Sequence, residues 1–199
     1  MSVRILKVNS SARYADASSR RIAEAVVADL LRQHPDAQVI ERDVAQGLPV
    51  VTETLIEARY TPVAERTPAQ HHVVSASKHL IDEFKSADYL VVGLPIYNFS
   101  VPASLKAYFD QIAAVDETFH YTETGPVGMV HNIRKAYLAV TSGGTSIDGQ
   151  GDYASGFAAF FLNFLGVKDV QVLDGTGQAF DAEGAEARAI AQISDLVAA

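Results

Sequence analysis

Five short strand-like runs, at residues 3–8, 38–41, 89–92, 135–141 and 170–173, alternate with segments whose apolar residues recur at helical spacing. The run at 89–92 is uncharged and rich in valine, as a strand buried on both faces of a parallel sheet must be. Between the runs, Ile22, Val26 and Leu30, with Ala23 and Val27 beside them, make one apolar stripe. Leu105, Tyr108, Phe109 and Ile112 make another, at i, i+3, i+4 and i+7. A strand, a covering helix and a further strand form the unit from which parallel sheets are built. The chain is therefore expected to fold as one α/β domain over residues 1–199, a five-stranded parallel sheet with helices on both faces. At 199 residues it is long enough to bury one sizeable core. Open sheets of this kind bind ligands beyond the carboxyl ends of their strands, so the loops after the strands are where function is sought.

The loop after the third strand, Gly93 to Pro102, is the most distinctive. Two prolines restrict its backbone, and Tyr97-Asn98-Phe99 supplies flat faces, an amide and exposed backbone N–H groups, which suit a planar heterocycle. The same residues also fit an ordinary connection whose aromatics cap the core. Ser100 is the expected N-cap of the next helix, with Pro102 in its first turn. After the first strand, Ser10, Ser11, Ser18 and Ser19 crowd a helix N-terminus together with Arg13 and Arg20. Hydroxyls, free N–H groups and the positive end of a helix dipole make an anion site, typically for phosphate. Plain N-capping by Ser18 or Ser19 would need only one of these serines. After the fourth strand, Ser142-Gly143-Gly144-Thr145 lets the backbone approach a ligand closely, or simply turns the chain. In the flavodoxin-like strand order 2-1-3-4-5 these three loops meet at one switch point. A serine-rich anion loop, an aromatic-amide loop and a diglycine loop around one crevice describe a site for FMN. Response regulators share the topology but need an aspartate at the end of the third strand, where this chain has Gly93.

Other features narrow the function. No cysteine is present, which removes disulfides, thiolate zinc sites and thiol nucleophiles together. A net charge of −8 gives neither nucleic acid nor an anionic membrane an electrostatic reason to approach. The longest uncharged apolar runs are strand-sized and the first residues lack a signal peptide's features, so a cytoplasmic protein is expected. His71, His72 and His79 do not converge with a carboxylate at a metal-ligand spacing, and no metal is expected. Gly149-Gln150-Gly151-Asp152-Tyr153-Ala154 matches GxGxxA and has Asp174 about 20 residues further on. The fourth strand stops near Thr141, however, too early for the tight strand-to-helix turn that fingerprint requires.

Residues 44–87 read as helical, and Thr67-Pro68-Ala69-Gln70 combines a capping-box pair with proline at the first helical position. Residues 118–128 form an aromatic, strand-like excursion with a tight turn. Phe157, Phe160, Phe161 and Phe164 share one face of a helix at 156–165, which serves as core or as dimer surface. A closing helix at 182–197 is expected to turn Ile190, Ile193 and Val197 inward.

In the stretch Pro95-Ile96-Tyr97-Asn98-Phe99-Ser100-Val101-Pro102 and on to Asp110, supported by residues 118–128 and Thr141-Ser142-Gly143-Gly144, the sequence resembles a known family. It is that of the FMN-dependent NADH:quinone oxidoreductases, also called azoreductases, of the flavodoxin-like quinone reductase superfamily. The resemblance covers nearly the whole chain. It implies that Ser11 with Ala17, Ser18 and Ser19 forms the phosphate loop. Pro95, Ile96, Tyr97, Asn98 and Phe99 then form the isoalloxazine loop, and Ser142, Gly143, Gly144 and Thr145 a second flavin loop. Ala17 stands where the family often has serine, and Ile96 where methionine is common; neither change removes a backbone amide. The resemblance further implies transfer of electrons from NADH or NADPH to a quinone by a two-electron ping-pong cycle, with reductive cleavage of azo compounds as a further activity. It also implies a homodimer with the active site at the interface, where Phe119 and Tyr121 cover the partner's flavin and, with Phe99, line the substrate pocket. The cofactor carries the chemistry, so no single catalytic residue is assigned. The alternative is a flavodoxin-type electron carrier without its own substrate, for which the helices at 44–87 and the excursion at 116–129 are superfluous.

Overall fold

Alternate residues of the central strands are buried on opposite faces of one sheet, which is why those strands read as unbroken apolar runs. The computed structural model describes residues 2–195. In it, β1 (Arg4–Asn9) sends Leu6 and Val8 to one face and Ile5 to the other. The strand β3 (Tyr89–Pro95) likewise divides Leu90, Val92 and Leu94 from Val91. In β6 (Lys135–Thr141), Leu138 and Val140 are divided from Tyr137 and Ala139. With β2 (Gln38–Asp43) and β7 (Val170–Gly175) these strands pair in parallel, in the order β2-β1-β3-β6-β7. The expected numbering 2-1-3-4-5 does not carry over, because the described residues form seven strands. The aromatic excursion is a separate antiparallel hairpin, β4 (Phe119–Thr122) and β5 (Gly125–Gly128), inserted before the fourth strand of the sheet.

Helices cover both faces. On the Ile5 side, α1 (Ser18–Gln33) buries Ile22, Val26 and Leu30, and α6 (Ala182–Asp195) joins it. Ile190, expected inward, is exposed; the inward row of α6 is Ala185, Ala189 and Ile193, one residue out of phase with it. Val197 lies outside the described residues.

On the other side α3 (Pro68–Ser86), α4 (Ala103–Ile112) and α5 (Ser155–Leu165) pack over Leu6 and Leu138. The expected capping box starts α3: Thr67 Oγ1 accepts the Gln70 N–H at 3.2 Å, and Gln70 Oε1 accepts the Thr67 N–H at 2.9 Å. A separate helix, α2 (Glu53–Tyr60), lies against α3. Its Arg59 donates to the carbonyls of Asp110, Gln111 and Ala113 at the carboxyl end of α4. Burial pulls the pKa of Arg59 down, and the negative end of the α4 dipole supports the cation there. Of the phenylalanine face on α5, Phe161 stacks on Phe109 in the core at a ring separation of 4.4 Å, whereas Phe160 points outward. Gly128 fixes the hairpin to α5, since a Cβ there would lie 2.3–2.4 Å from backbone atoms of Phe164, Leu165 and Gly166. Among the described residues, no helix is long and apolar enough to cross a membrane.

Candidate active site

Parallel register brings Asn9 beside Gly93, and Pro95 beside Thr141, so β1, β3 and β6 end together and their loops open onto one edge. A crevice of about 320 Å³ lies there. Ser11, Ala17, Ser18 and Ser19 line it from the first loop, Pro95, Ile96 and Tyr97 from the second, and Ser142 and Gly143 from the third. Asn98 instead lines an adjoining open cavity of about 840 Å³, which shares Tyr97 with the crevice and runs past Lys106, Tyr153 and Phe157. Phe99 and the outer end of the third loop lie at the margin. The Phe99 ring sits against Gly151, Gly144 lies beneath the Phe180 ring, and Thr145 takes the Ser142 hydroxyl bond on its carbonyl. Phe119 does not face a pocket in this chain. It is buried, packed on Phe164 at a ring separation of 4.9 Å, because the hairpin folds inward onto α5. Tyr121 is exposed on the hairpin and lines neither cavity.

The serine-rich end is built around a helix that lacks a side-chain cap. The N-cap of α1 is Ala17, in extended conformation, which offers no oxygen to the first-turn N–H groups. Capping by Ser18 or Ser19 therefore does not occur. Ser19 Oγ is buried without a hydrogen-bond partner, and so is Asn9 Oδ1. Ser10 is committed, donating to the Gly93 carbonyl at 2.7 Å. Ser11 Oγ lies 3.2 Å from the Tyr97 hydroxyl, which also accepts the Ala12 N–H at 3.2 Å, so Tyr97 spans from the second loop to the first. Arg20 stitches the first loop by donating to the carbonyls of Ser11 and Arg13 and to Asp43. Arg21 is held protonated by Glu186 and Asp16, and in return holds the Asp16 carboxyl below its ordinary pKa. Arg13 lines the crevice and pairs with Asp16 at 3.1 Å across an exposed surface.

The aromatic-amide loop is a tight turn. Tyr97 and Ser100 exchange backbone hydrogen bonds at 3.0 and 3.1 Å, and the two residues between them have positive φ, 48° at Asn98 and 71° at Phe99. A phenylalanine held there is strained by roughly 1–3 kcal/mol, the kind of cost that clusters at ligand clamps. Ser100 thus closes a turn and does not cap α4. Pro102, with φ −53° and ψ 142°, is the N-cap residue and makes no side-chain bond. The residue before a proline is held extended, which keeps Val101 out of the helix, and with Pro102 itself at an extended ψ the helix begins at Ala103.

Arg13, expected in the anion loop, also lines the crevice, and so do three residues that sequence reasoning did not place there, Thr141, Gln178 and Ala179. The last two belong to the loop after β7, where Gly175 ends the strand and Gly177 follows it, much as Gly143 and Gly144 follow β6; that pattern is the available signal. The backbone N–H groups of Gln178 and Ala179 donate to the carbonyls of Ser142 and Gly143, both at 2.9 Å, so this fourth loop is bonded to the third. The GxGxxA stretch is no dinucleotide turn: it ends a long loop, and its Asp152 accepts the N–H groups of Ala154 and Ser155 to start α5. Burial pushes the Asp152 carboxyl up, but the bonds from Ser155 outweigh this and leave it below its ordinary pKa. Among the described residues, no group of three or more His, Asp or Glu side chains could hold a metal ion.

An uncapped helix start with an orphaned buried hydroxyl at one end, and a strained aromatic turn beside an open apolar cavity at the other, fit a phosphate ester that carries a planar ring. A family model described as a flavodoxin-like fold matches residues 3–197. The FMN-dependent NADH:quinone oxidoreductase 1 of Hahella chejuensis is 45% identical over 96% of this chain and 93% of its own. The FMN-dependent NADH:quinone oxidoreductase of Cereibacter sphaeroides is 39% identical over 98% of both. The crystal structure of an azoreductase from Bacillus anthracis superposes with a TM-score of 0.88 at 25% identity, covering 98% of each chain.

Proposed function

Because this chain belongs to the family of FMN-dependent NADH:quinone oxidoreductases with a flavodoxin-like fold, we infer that it transfers electrons from NADH to quinones, and to azo compounds, through an FMN held in the crevice. The observation that carries this reading is the uncapped start of α1, with the unpartnered Ser19 hydroxyl, opening on the same crevice as Tyr97 and Gly143. When bound, FMN supplies the hydride and electron chemistry. The chain's own residues bind and orient it. First-turn N–H groups of α1, with the hydroxyls of Ser11 and Ser19, take the phosphate. Backbone amides near Tyr97, Asn98 and Gly143 meet the polar edge of the ring, where fixed dipoles favour negative charge without reorganising. Tyr153 and Phe157 wall the open side, with Phe99 at its margin, and limit water at the reacting face.

If donor and acceptor use this same open side in turn, they alternate in a ping-pong cycle. The reading also includes a homodimer, in which exposed Tyr121, Val127 and Met129 on the hairpin region and Phe160 on α5 are covered by a second copy. A cytoplasmic location goes with it, since reduced nicotinamide is regenerated there. The test begins with colour: purified protein should carry one FMN per chain, with an absorbance band at about 450 nm. Steady-state kinetics with NADH and a quinone should give parallel double-reciprocal lines. A colourless protein that takes up no added FMN, or intersecting lines, would overturn the reading.

A further inference from the structure

The loop after β7 reaches the crevice with Gln178 and Ala179. Gln178 lines the cavity beside Ser18 and Ser19, and each end of its amide is engaged. Its Nε2 donates to the Gly175 carbonyl at 2.7 Å, which fixes the orientation of the group, and its Oε1 accepts the Ser18 hydroxyl at 2.8 Å. Its backbone N–H donates to the Ser142 carbonyl at 2.9 Å. One residue thus links the first, third and fourth loops. The consequence for Ser18 is specific. A serine hydroxyl has one proton, and this one points at Gln178, while its lone pair accepts from Arg21 Nη2 at 3.0 Å. Ser18 therefore has no proton left to offer an anion. Ser19 does: its hydroxyl is buried, unpartnered and on the same wall.

We propose that Gln178 is a positioning and specificity residue of the anion end. By taking the Ser18 proton it assigns phosphate donation to Ser19, and by presenting a neutral amide where a carboxylate would fit it keeps that end open to a phosphate dianion. The proposal rests on the FMN reading above, and it concerns only the phosphate end. Neutrality matters because the nearby cations are already engaged: Arg21 with Asp16 and Glu186, Arg20 with Asp43, Arg13 with Asp16, and Arg188 with Asp181 and the Thr176 carbonyl. No spare guanidinium on those residues would offset an added negative charge.

Dissociation constants for FMN and for riboflavin, which has the ring and ribityl chain without the phosphate, measured by flavin fluorescence quenching, separate the two ends of the site. In the wild type FMN should bind more tightly than riboflavin. Gln178→Glu should weaken FMN at pH 8 by at least about tenfold, a loss equivalent to about 1.4 kcal/mol, while moving riboflavin less than about twofold. The FMN penalty should shrink as the pH is lowered toward 5 and the new carboxyl begins to protonate, which a purely structural defect would not do. Ser19→Ala should cost FMN affinity severalfold more than Ser18→Ala. Gln178→Ala, which adds no charge, should weaken FMN less than Gln178→Glu and preserve the thermal melt. Equal loss of FMN and riboflavin in Gln178→Glu, a penalty independent of pH, or equal costs for the two serines would overturn the assignment while leaving FMN binding intact. A wild type that binds neither flavin would overturn the FMN reading and this assignment with it.

Discussion

Ser19 shows how one residue can be placed by sequence and explained only by structure. The crowd of serines at a helix start suggests an anion site, but which hydroxyl is free depends on partners far away in the chain, Gly93 for Ser10 and Gln178 for Ser18. Ser11→Ala and Ser19→Ala should each weaken FMN by about 1–3 kcal/mol in an equilibrium titration, the worth of a hydrogen bond to a charged group. The turn residues lead to a second expectation. Composition marks Asn98 and Phe99 as a loop and suggests binding, whereas their positive φ cannot be read from it, since asparagine is common there and phenylalanine is not. Phe99→Ala keeps that backbone and removes an exposed ring at the margin of the open cavity. It should raise KM or lower kcat with the FMN content nearly intact; FMN loss without a kinetic effect in the reconstituted protein would place the ring at the wrong end.

Whole elements were legible wherever a local rule and the tertiary fold agree. The strand at 135–141 and the capping box of α3 were read directly, because apolar continuity and the Thr67–Gln70 pair are encoded within a few residues. The start of α4 was misread at Ser100, where the Val101-Pro102 pair overrides a good capping residue. The facing of α6 differs from expectation at Ile190, because two alanines, which carry little apolar signal, complete the buried row with Ile193. The start of α5 yields a pH prediction. Asp152 sits below its ordinary pKa in the folded protein, so its contribution to stability is present above the unfolded carboxyl pKa and is lost as pH falls through the folded value. Asp152→Ala should lower the melting temperature at pH 7 and flatten the acid dependence of stability between about pH 5 and 3. A variant with the same acid limb as the wild type would show that Asp152 is not the group titrating there.

At the scale of the whole molecule, the sheet could be derived from the alternation of runs, but the fate of the hairpin could not, because its own residues only specify two strands and a turn. What fixes it is Gly128, which lets β5 touch the backbone of α5, and Phe119, which enters the core beneath Phe164. The inner face of the hairpin is thereby used up and its outer residues are left over. Tyr121, Val127, Met129 and Phe160 remain exposed on the hairpin region and the helix it packs against, more apolar surface than a monomer gains by leaving in water. A second copy of the chain covers such a surface most economically through a two-fold axis, since the same patch then meets itself. Wild-type protein should therefore sediment as a dimer at micromolar concentration. Phe160→Asp combined with Met129→Asp should shift it toward monomer, because each buried carboxylate would have to be desolvated twice in a symmetric interface. FMN content should survive that change, as the residues assigned to the cofactor all come from one chain. Turnover should fall if the partner's hairpin covers the open cavity. A wild type that sediments as a monomer would remove the interface from the model of the site, and a dimer unmoved by both aspartates would place that interface elsewhere on the molecule.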